Sequence, residues 1–259
     1  MKNDNTAPLV SVVMAAYNAQ NFVEAAIESV IAQTMTDWEL IIVDDGSYDS
    51  TYSRAEALAE RDERIHLLRN EVNSGVAITR NTAINRAQGK YIAFIDSDDV
   101  WHSEKLERQL AKVADTGSQI CYCSCSIIDH KGLKLGEDYI VPESVGLEDL
   151  LKENYLWCSA VLVETEQVRK FMFNTEYYHE DYVLMLQLLK SGCRACGCCE
   201  VLLEWRYLEK SRSFNKLKSA GNRWKIYRGF MELSLLKSAY YFANYTIAGL
   251  RKYSGICPK

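Results

Sequence analysis

Nowhere in these 259 residues do about 18 uncharged apolar residues run together, as a bilayer-spanning helix requires. The amino terminus, MKNDNTAPLV, also lacks the apolar core of a secretory signal, so cytosolic residence is expected. A separate second CxxC pair is missing as well. Of the nine cysteines, Cys193, Cys196, Cys198 and Cys199 crowd more tightly than a zinc module allows and have no second pair nearby. Cys121, Cys123 and Cys125 alternate along ICYCSCSII, which puts them on one face of a strand as small buried hydrophobes. Free thiols and no structural zinc are therefore expected.

The net charge of −5 conceals an asymmetry. Residues 1–200 hold 18 Lys/Arg against 32 Asp/Glu, net −14, whereas residues 201–259 hold 12 against 3, net +9. In that tail the basic residues interleave with Trp224, Tyr227, Phe230, Tyr240, Tyr241, Phe242 and Tyr245. The mixture suits an anionic membrane surface better than nucleic acid, for which no recognised motif accompanies the charge. Residues 221–250 are helical in pattern, and their apolar side chains cover most of the circumference, so the tail either packs on the main body or lies at a membrane interface.

With 48% hydrophobic residues the chain can build a full core, as one large domain or two small ones. Its most informative stretch is KYIAFIDSDDVW, residues 90–101, where an apolar run suited to a buried strand empties into Asp96, Ser97, Asp98 and Asp99. Three clustered carboxylates repel one another unless solvent or a cation relieves them, and Mg²⁺ or Mn²⁺ fits oxygen ligands of this kind. The plainer alternative is a solvated turn that caps the next helix.

Before that strand, LVSVVM, WELIIV and RIHLL read as strands separated by helices, giving βαβαβαβ. WELIIV ends in Asp44, Asp45, Gly46 and a helix-capping Ser47. The alternation predicts an α/β fold, a Rossmann-like open mixed, mostly parallel sheet flanked by helices, with a helical extension at the carboxyl end. Tyr17, Asp45 and Asp96 to Asp99 then share one sheet edge. Further on, HSEKLERQLAKV reads as a helix capped at Ser103, and ICYCSCSII and LWCSAVLV as strands. Residues 133–145 read as a loop, TEQVRKF as a short helix, and YYHEDYVLMLQLLKSG as a helix closed by Gly192.

The segments VSVVMAAYN, VDDGSYDST, NSGVAITRN and YIAFIDSDD, in this order and at these spacings, resemble the amino-terminal half of the family-2 inverting glycosyltransferases. The resemblance covers about the first 200 residues. It implies the A-type transferase fold, a nucleotide-diphosphate sugar donor and a divalent ion. By that resemblance Tyr17 and Asp45 meet the nucleotide base, Arg80 the base or phosphate, and Asp96 the ribose or a metal-bound water, with Ser97 beside it. Asp98 is the implied metal ligand and Asp99 the alternative. Many relatives carry proline or threonine where this chain has Ala15, so a contact near the base is expected to differ. The acidic pair Glu180 and Asp181 falls where the family keeps its catalytic base, with Asp181 the implied base; its other reading is complementing a helix dipole. Arg206, Arg212 and Ser213 fall where relatives touch the diphosphate, or else are surface residues. Trp157 stacks on an acceptor sugar or lies in the core.

The expectation is thus an inverting transferase acting on a glycan or polyprenyl-linked acceptor, cytoplasmic and peripheral to the inner membrane. Residues 1–118 form the nucleotide-sugar half, 119–210 the acceptor and base half, and 211–259 the basic tail. A sugar nucleotidyltransferase would need a glycine-rich, arginine-containing loop after the first strand, and AAYNAQNF lacks one. A non-catalytic sugar-nucleotide or membrane scaffold of the same fold is the other alternative.

Overall fold

The computed structural model describes residues 7–208 and 216–254. Four strands, β1 (Val10–Ala16), β2 (Trp38–Asp44), β3 (Ile65–Arg69) and β4 (Tyr91–Asp96), alternate with helices α1 (Val23–Ile31), α2 (Thr51–Ala59) and α3 (Val76–Arg86). There follow β5 (Val100–Trp101), α4 (Lys105–Thr116), β6 (Ile120–Ile128), β7 (Ser144–Val145), α5 (Leu147–Lys152), β8 (Val161–Glu164), α6 (Thr165–Phe171), α7 (Glu180–Lys190) and β9 (Ala195–Arg206). The chain closes with α8 (Lys216–Lys225), a π-helical turn (Ile226–Phe230) and α9 (Leu235–Ser254).

The strands form one sheet in the order β3-β2-β1-β4-β8-β6-β9-β5, with β7 added to β9. β1 to β4 pair in parallel. Parallel strands with helices on both faces must be apolar on both, which is why VSVVMAA and WELIIVD are nearly continuous in hydrophobicity and buried along their length. Their carboxyl ends consequently meet on one edge. β8 runs antiparallel to both β4 and β6, whereas β6 and β9 pair in parallel with register shifts around Ser124. β8, β6, β9, β5 and β7 thereby extend the same sheet.

Alternate strand residues feed two cores. Val13, Ile41 and Phe94 point toward α3, α6 and α7, while Val12, Met14, Leu40 and Ile42 point toward α1 and α4. The basic tail joins the first core through Ile226, Tyr227 and Tyr241. Tyr227 donates its hydroxyl hydrogen to the Leu151 carbonyl at 2.6 Å, and α9 packs on α5. Among the described residues no helix is long and apolar enough to cross a membrane.

Several local expectations need correction. LWCSAVLV is a strand only from Val161, because Cys158–Ala160 form a 3₁₀ turn. α4 starts after Glu104 without a side-chain cap, and Ser103 instead offers its carbonyl to the Thr34 N–H. Ser47 is not a helix cap: its hydroxyl accepts from the Asn18 N–H, while Asp49 accepts from the Thr51 N–H at the start of α2. Residues 133–145 include bridges from Tyr139 to Cys125 and Lys134 to Ile128, besides β7. Cys121, Cys123 and Cys125 are buried free thiols.

Candidate active site

The site occupies the shared carboxyl edge of β1, β2 and β4. Ala15 is in register with Val43 on one side and Asp96 on the other. Tyr17, 44% exposed, lies just past β1 with its ring edge-on to the exposed Tyr48 at 6.3 Å. Tyr48 was not singled out in the sequence, although the VDDGSYDST segment contains it.

Asp45 is buried, and its carboxylate organises the neighbouring loop. Oδ1 accepts from the Ser74 N–H and the Asn70 amide, and Oδ2 from the Gly75 N–H, each at 2.8 Å. Burial pushes its pKa up, but the donors Ser74, Asn70 and Gly75 outweigh it and hold the carboxyl below its ordinary value. Gly75 takes φ +88°, a conformation that favours glycine, and so lets α3 begin where its N–H reaches Asp45. Asp44, which the sequence reading passed over as a site residue, is 1% exposed and accepts from Arg69 Nε at 3.2 Å and from the Ser47 N–H.

Past β4, Asp96, Asp98 and Asp99 offer carboxylate oxygens that all lie within 4.8 Å of one another. Asp99 is buried: Oδ1 accepts the Arg206 N–H at 2.8 Å, and Oδ2 has no partner in hydrogen-bonding geometry. Burial first, then the charges of Asp98 and Asp96, raise Asp99 well above the usual carboxylate range, against the pull of the Ser159 hydroxyl and the Arg206 N–H. Burial and the Asp96 charge push Asp98 up to about 7, against the pull of its own backbone N–H and of the Arg206 and Arg80 charges. Ser97 is half-buried between them. A hard divalent cation fits this set, since it would take up the orphaned Asp99 oxygen and relieve the mutual repulsion.

Arg80, on α3 and 6% exposed, joins this cluster to the second half of the chain. Its Nη2 donates to Asp96 Oδ1 and its Nη1 to Glu180 Oε1, the latter at 2.9 Å. Burial works against the Arg80 charge, but Cys158, Asp96, Glu180 and Asp181 around it hold it above its usual range. Glu180 is therefore occupied at the first residue of α7. Asp181, next to it, is half-buried, and among the described residues no hydrogen bond or ion pair engages its carboxylate. Its charge still acts on Arg80 and on the buried Cys158 thiol, so it faces the same site.

Residues 11–172 match the family model described as Glycosyl transferase family 2. The chain belongs to that family. It is 36% identical over 248 residues to an Escherichia coli protein named UDP-Glc:alpha-D-GlcNAc-diphosphoundecaprenol beta-1,3-glucosyltransferase WfgD, covering 95% of each. A Bacillus subtilis (strain 168) protein, TuaG, provisionally named a teichuronic acid biosynthesis glycosyltransferase, is 37% identical over 248 residues, covering 96% of this chain and 98% of its own. The fold matches S. aureus TarS 1-349 in complex with UDP-GlcNAc with TM-score 0.72 at 19% identity, over 95% of this chain and 72% of that one. It also matches the mannosyltransferase PcManGT of Pyrobaculum calidifontis in complex with GDP-Man and Mn²⁺, with TM-score 0.67 at 17% identity, over 98% and 77%. These likenesses establish the A-type transferase fold.

The geometry bears on two further residues of this glycosyltransferase, Arg206 and Trp157, and not on Arg212 and Ser213. The Arg206 guanidinium is directed inward: Nε donates to the Asp98 carbonyl and Nη1 to the Asp129 carbonyl, both at 2.8 Å, so Arg206 braces the acidic loop. Trp157 is 9% exposed and stacks on Tyr139 at 4.8 Å, which places it in the core rather than against an acceptor sugar. Arg212 and Ser213 lie outside the described residues.

Proposed function

We propose that this glycosyltransferase moves a sugar from a UDP-linked donor to a hydroxyl of a lipid-linked or glycan acceptor in surface-polysaccharide synthesis, inverting the anomeric carbon. The observation that carries the reading is the division of labour at the start of α7, where Arg80 occupies Glu180 and leaves Asp181 unengaged beside the acidic cluster. Asp181 takes the proton of the acceptor hydroxyl as that oxygen bonds to the anomeric carbon and the bond from that carbon to the diphosphate breaks on the opposite face. Asp98 and Asp99, with Asp96 beside them, would hold Mg²⁺ or Mn²⁺. Such an ion, when bound, supplies positive charge against the negative charge developing on the leaving diphosphate.

Tyr17 flanks the nucleotide base, and Asp45 sets the Ser74–Gly75 backbone that borders it. Arg80 positions both carboxylate groups and does not itself contact phosphate. Residues 1–118 thus serve the donor and 119–210 the acceptor. The UDP assignment and the lipid-linked acceptor are drawn from the activity in the WfgD name, and the metal from the acidic cluster together with the Mn²⁺ in the PcManGT complex.

The test is to incubate labelled nucleotide sugars with the full chain, with Mg²⁺, Mn²⁺ or chelator, and to follow hydrolysis or transfer. Consumption of a UDP-sugar only with metal, giving product of inverted anomeric configuration by NMR, is expected. Nucleotide binding without turnover of any donor would refute the reading.

A further inference from the structure

Helix α9 carries an apolar stripe whose large side chains stay at least half exposed among the described residues. Leu236, Tyr240, Ala243, Ile247 and Leu250 recur at steps of four and three, and at 100° per residue they fall within an arc of about 80°. Their exposure is 85% for Leu236, 56% for Tyr240, 50% for Ile247 and 69% for Leu250. The opposite face is packed inward through the buried Ser238 and Tyr241. Lys237 and Arg251 border the stripe, and residues 216–254 hold eight Lys/Arg against the lone acid Glu232.

We propose that α9 lies flat on an anionic bilayer, its stripe at the acyl boundary and its basic flanks among the headgroups. The helix lies on the surface, since its 20 residues are not apolar enough to cross. The same four-three spacing also suits a coiled-coil seam with a second copy of the chain. Charge decides between them. Pairing two copies would bring Lys237, Arg251 and their basic neighbours together with Glu232 the one acid within residues 216–254 to offset them, whereas anionic headgroups supply that complement. The position of the helix agrees. Ile247 and Arg251 also line a cleft of about 430 Å³ with Tyr139, Lys152, Glu153 and Tyr155. From that cleft an aromatic row, Tyr155–Tyr139–Trp157–Trp205–Tyr207, runs with neighbouring centroids 4.8 to 6.3 Å apart to the strand end that holds Arg206 and the acidic loop. The bilayer-facing surface is thus tied by packed rings to the reaction edge.

The inference rests on the proposed function only in that a lipid-linked acceptor gives the contact its purpose. The full chain is sedimented with vesicles of phosphatidylglycerol and phosphatidylcholine, or of phosphatidylcholine alone, at low and high salt. Leu236→Glu combined with Ile247→Glu is run in parallel, with Tm and UDP binding as controls on fold and site. Salt-sensitive partitioning to the anionic vesicles that falls about tenfold or more in the variant, at unchanged Tm and UDP binding, is expected. Equal binding to both vesicle types, equal binding of both proteins, or a lipid-free dimer that the variant dissolves would overturn it. Loss of donor turnover with vesicle binding intact would count against the proposed function alone.

Discussion

Arg80 should be the most costly single side chain to remove from the site, and the structure sets the scale. Its two ion pairs are unequal: the Glu180 side chain is 5% exposed, whereas that of Asp96 is 36% exposed. Solvent screening limits the Asp96 link to about 0–1 kcal/mol. Arg80→Met would take from the buried Glu180 carboxylate the guanidinium it pairs with at 2.9 Å, a change that costs about 3–5 kcal/mol when a buried pair loses one partner. At about 2–4 °C per kcal/mol for a chain of this size, Tm should fall by roughly 6–20 °C. Much of that loss belongs to the buried carboxylate left with one cation fewer rather than to the pair itself. Arg80→Met combined with Glu180→Gln should therefore recover much of it, giving a coupling energy of about 2 kcal/mol or more. The assay is urea and thermal unfolding of the metal-free full chain, followed by two probes so that two-state behaviour is checked. Single and double variants that add, or an Arg80→Met variant within about 1 kcal/mol of the parent, would refute the assignment of Arg80 as the hub.

Other outcomes follow from the same geometry. Asp98→Asn removes one of three crowded like charges, so the metal-free protein should melt no lower than the parent while metal-dependent turnover disappears; a lower apo Tm contradicts the repulsion argument. Asp181→Asn should retain UDP binding and lose transfer by about 10²- to 10⁴-fold in single-turnover assays, and near-normal transfer would move the base elsewhere. Lys105 is fully buried, its ammonium donating to Gln109 Oε1 at 2.8 Å over the Trp101 ring, and burial pushes its pKa from 10.5 down to about 8. Between those values the unfolded chain binds more protons, so the cost of burying the charge is full below about pH 8 and fades as pH rises toward 10.5. The stability of Lys105→Met relative to the parent should then fall by up to about 3 kcal/mol between pH 7 and pH 10, and a flat difference would sink the assignment.

The reaction edge was legible in the sequence because parallel strands covered on both faces must be apolar throughout, so their polar terminators stand out. WELIIVD and YIAFID end in the acids that the fold gathers, and the parallel pairing of β1, β2 and β4 makes that gathering unavoidable. The other half of the sheet was harder to read. β6 and β9 pair across some 75 residues with a shift in register, and no local pattern encodes a partner so distant. LWCSAVLV misled for a related reason: a buried turn and a buried strand present the same apolar run.

The two arginines mark a deeper limit. An arginine that will meet a ligand phosphate and one that will meet an internal acceptor look alike in sequence, and Arg206 finds its partners in the main-chain carbonyls of Asp98 and Asp129, which no side-chain pattern announces. Their inward commitment alters the electrostatics of the site. Asp96, Asp98, Asp99, Glu180 and Asp181 gather around Arg80 and Arg206, so when all are ionised five carboxylates face two guanidiniums, a deficit of three. Both guanidiniums are thereby committed largely to internal acceptors. Under the mechanism proposed above, a divalent ion held at Asp98 and Asp99 would meet much of the charge of the departing diphosphate and would offset the acidic excess that opposes entry of the donor.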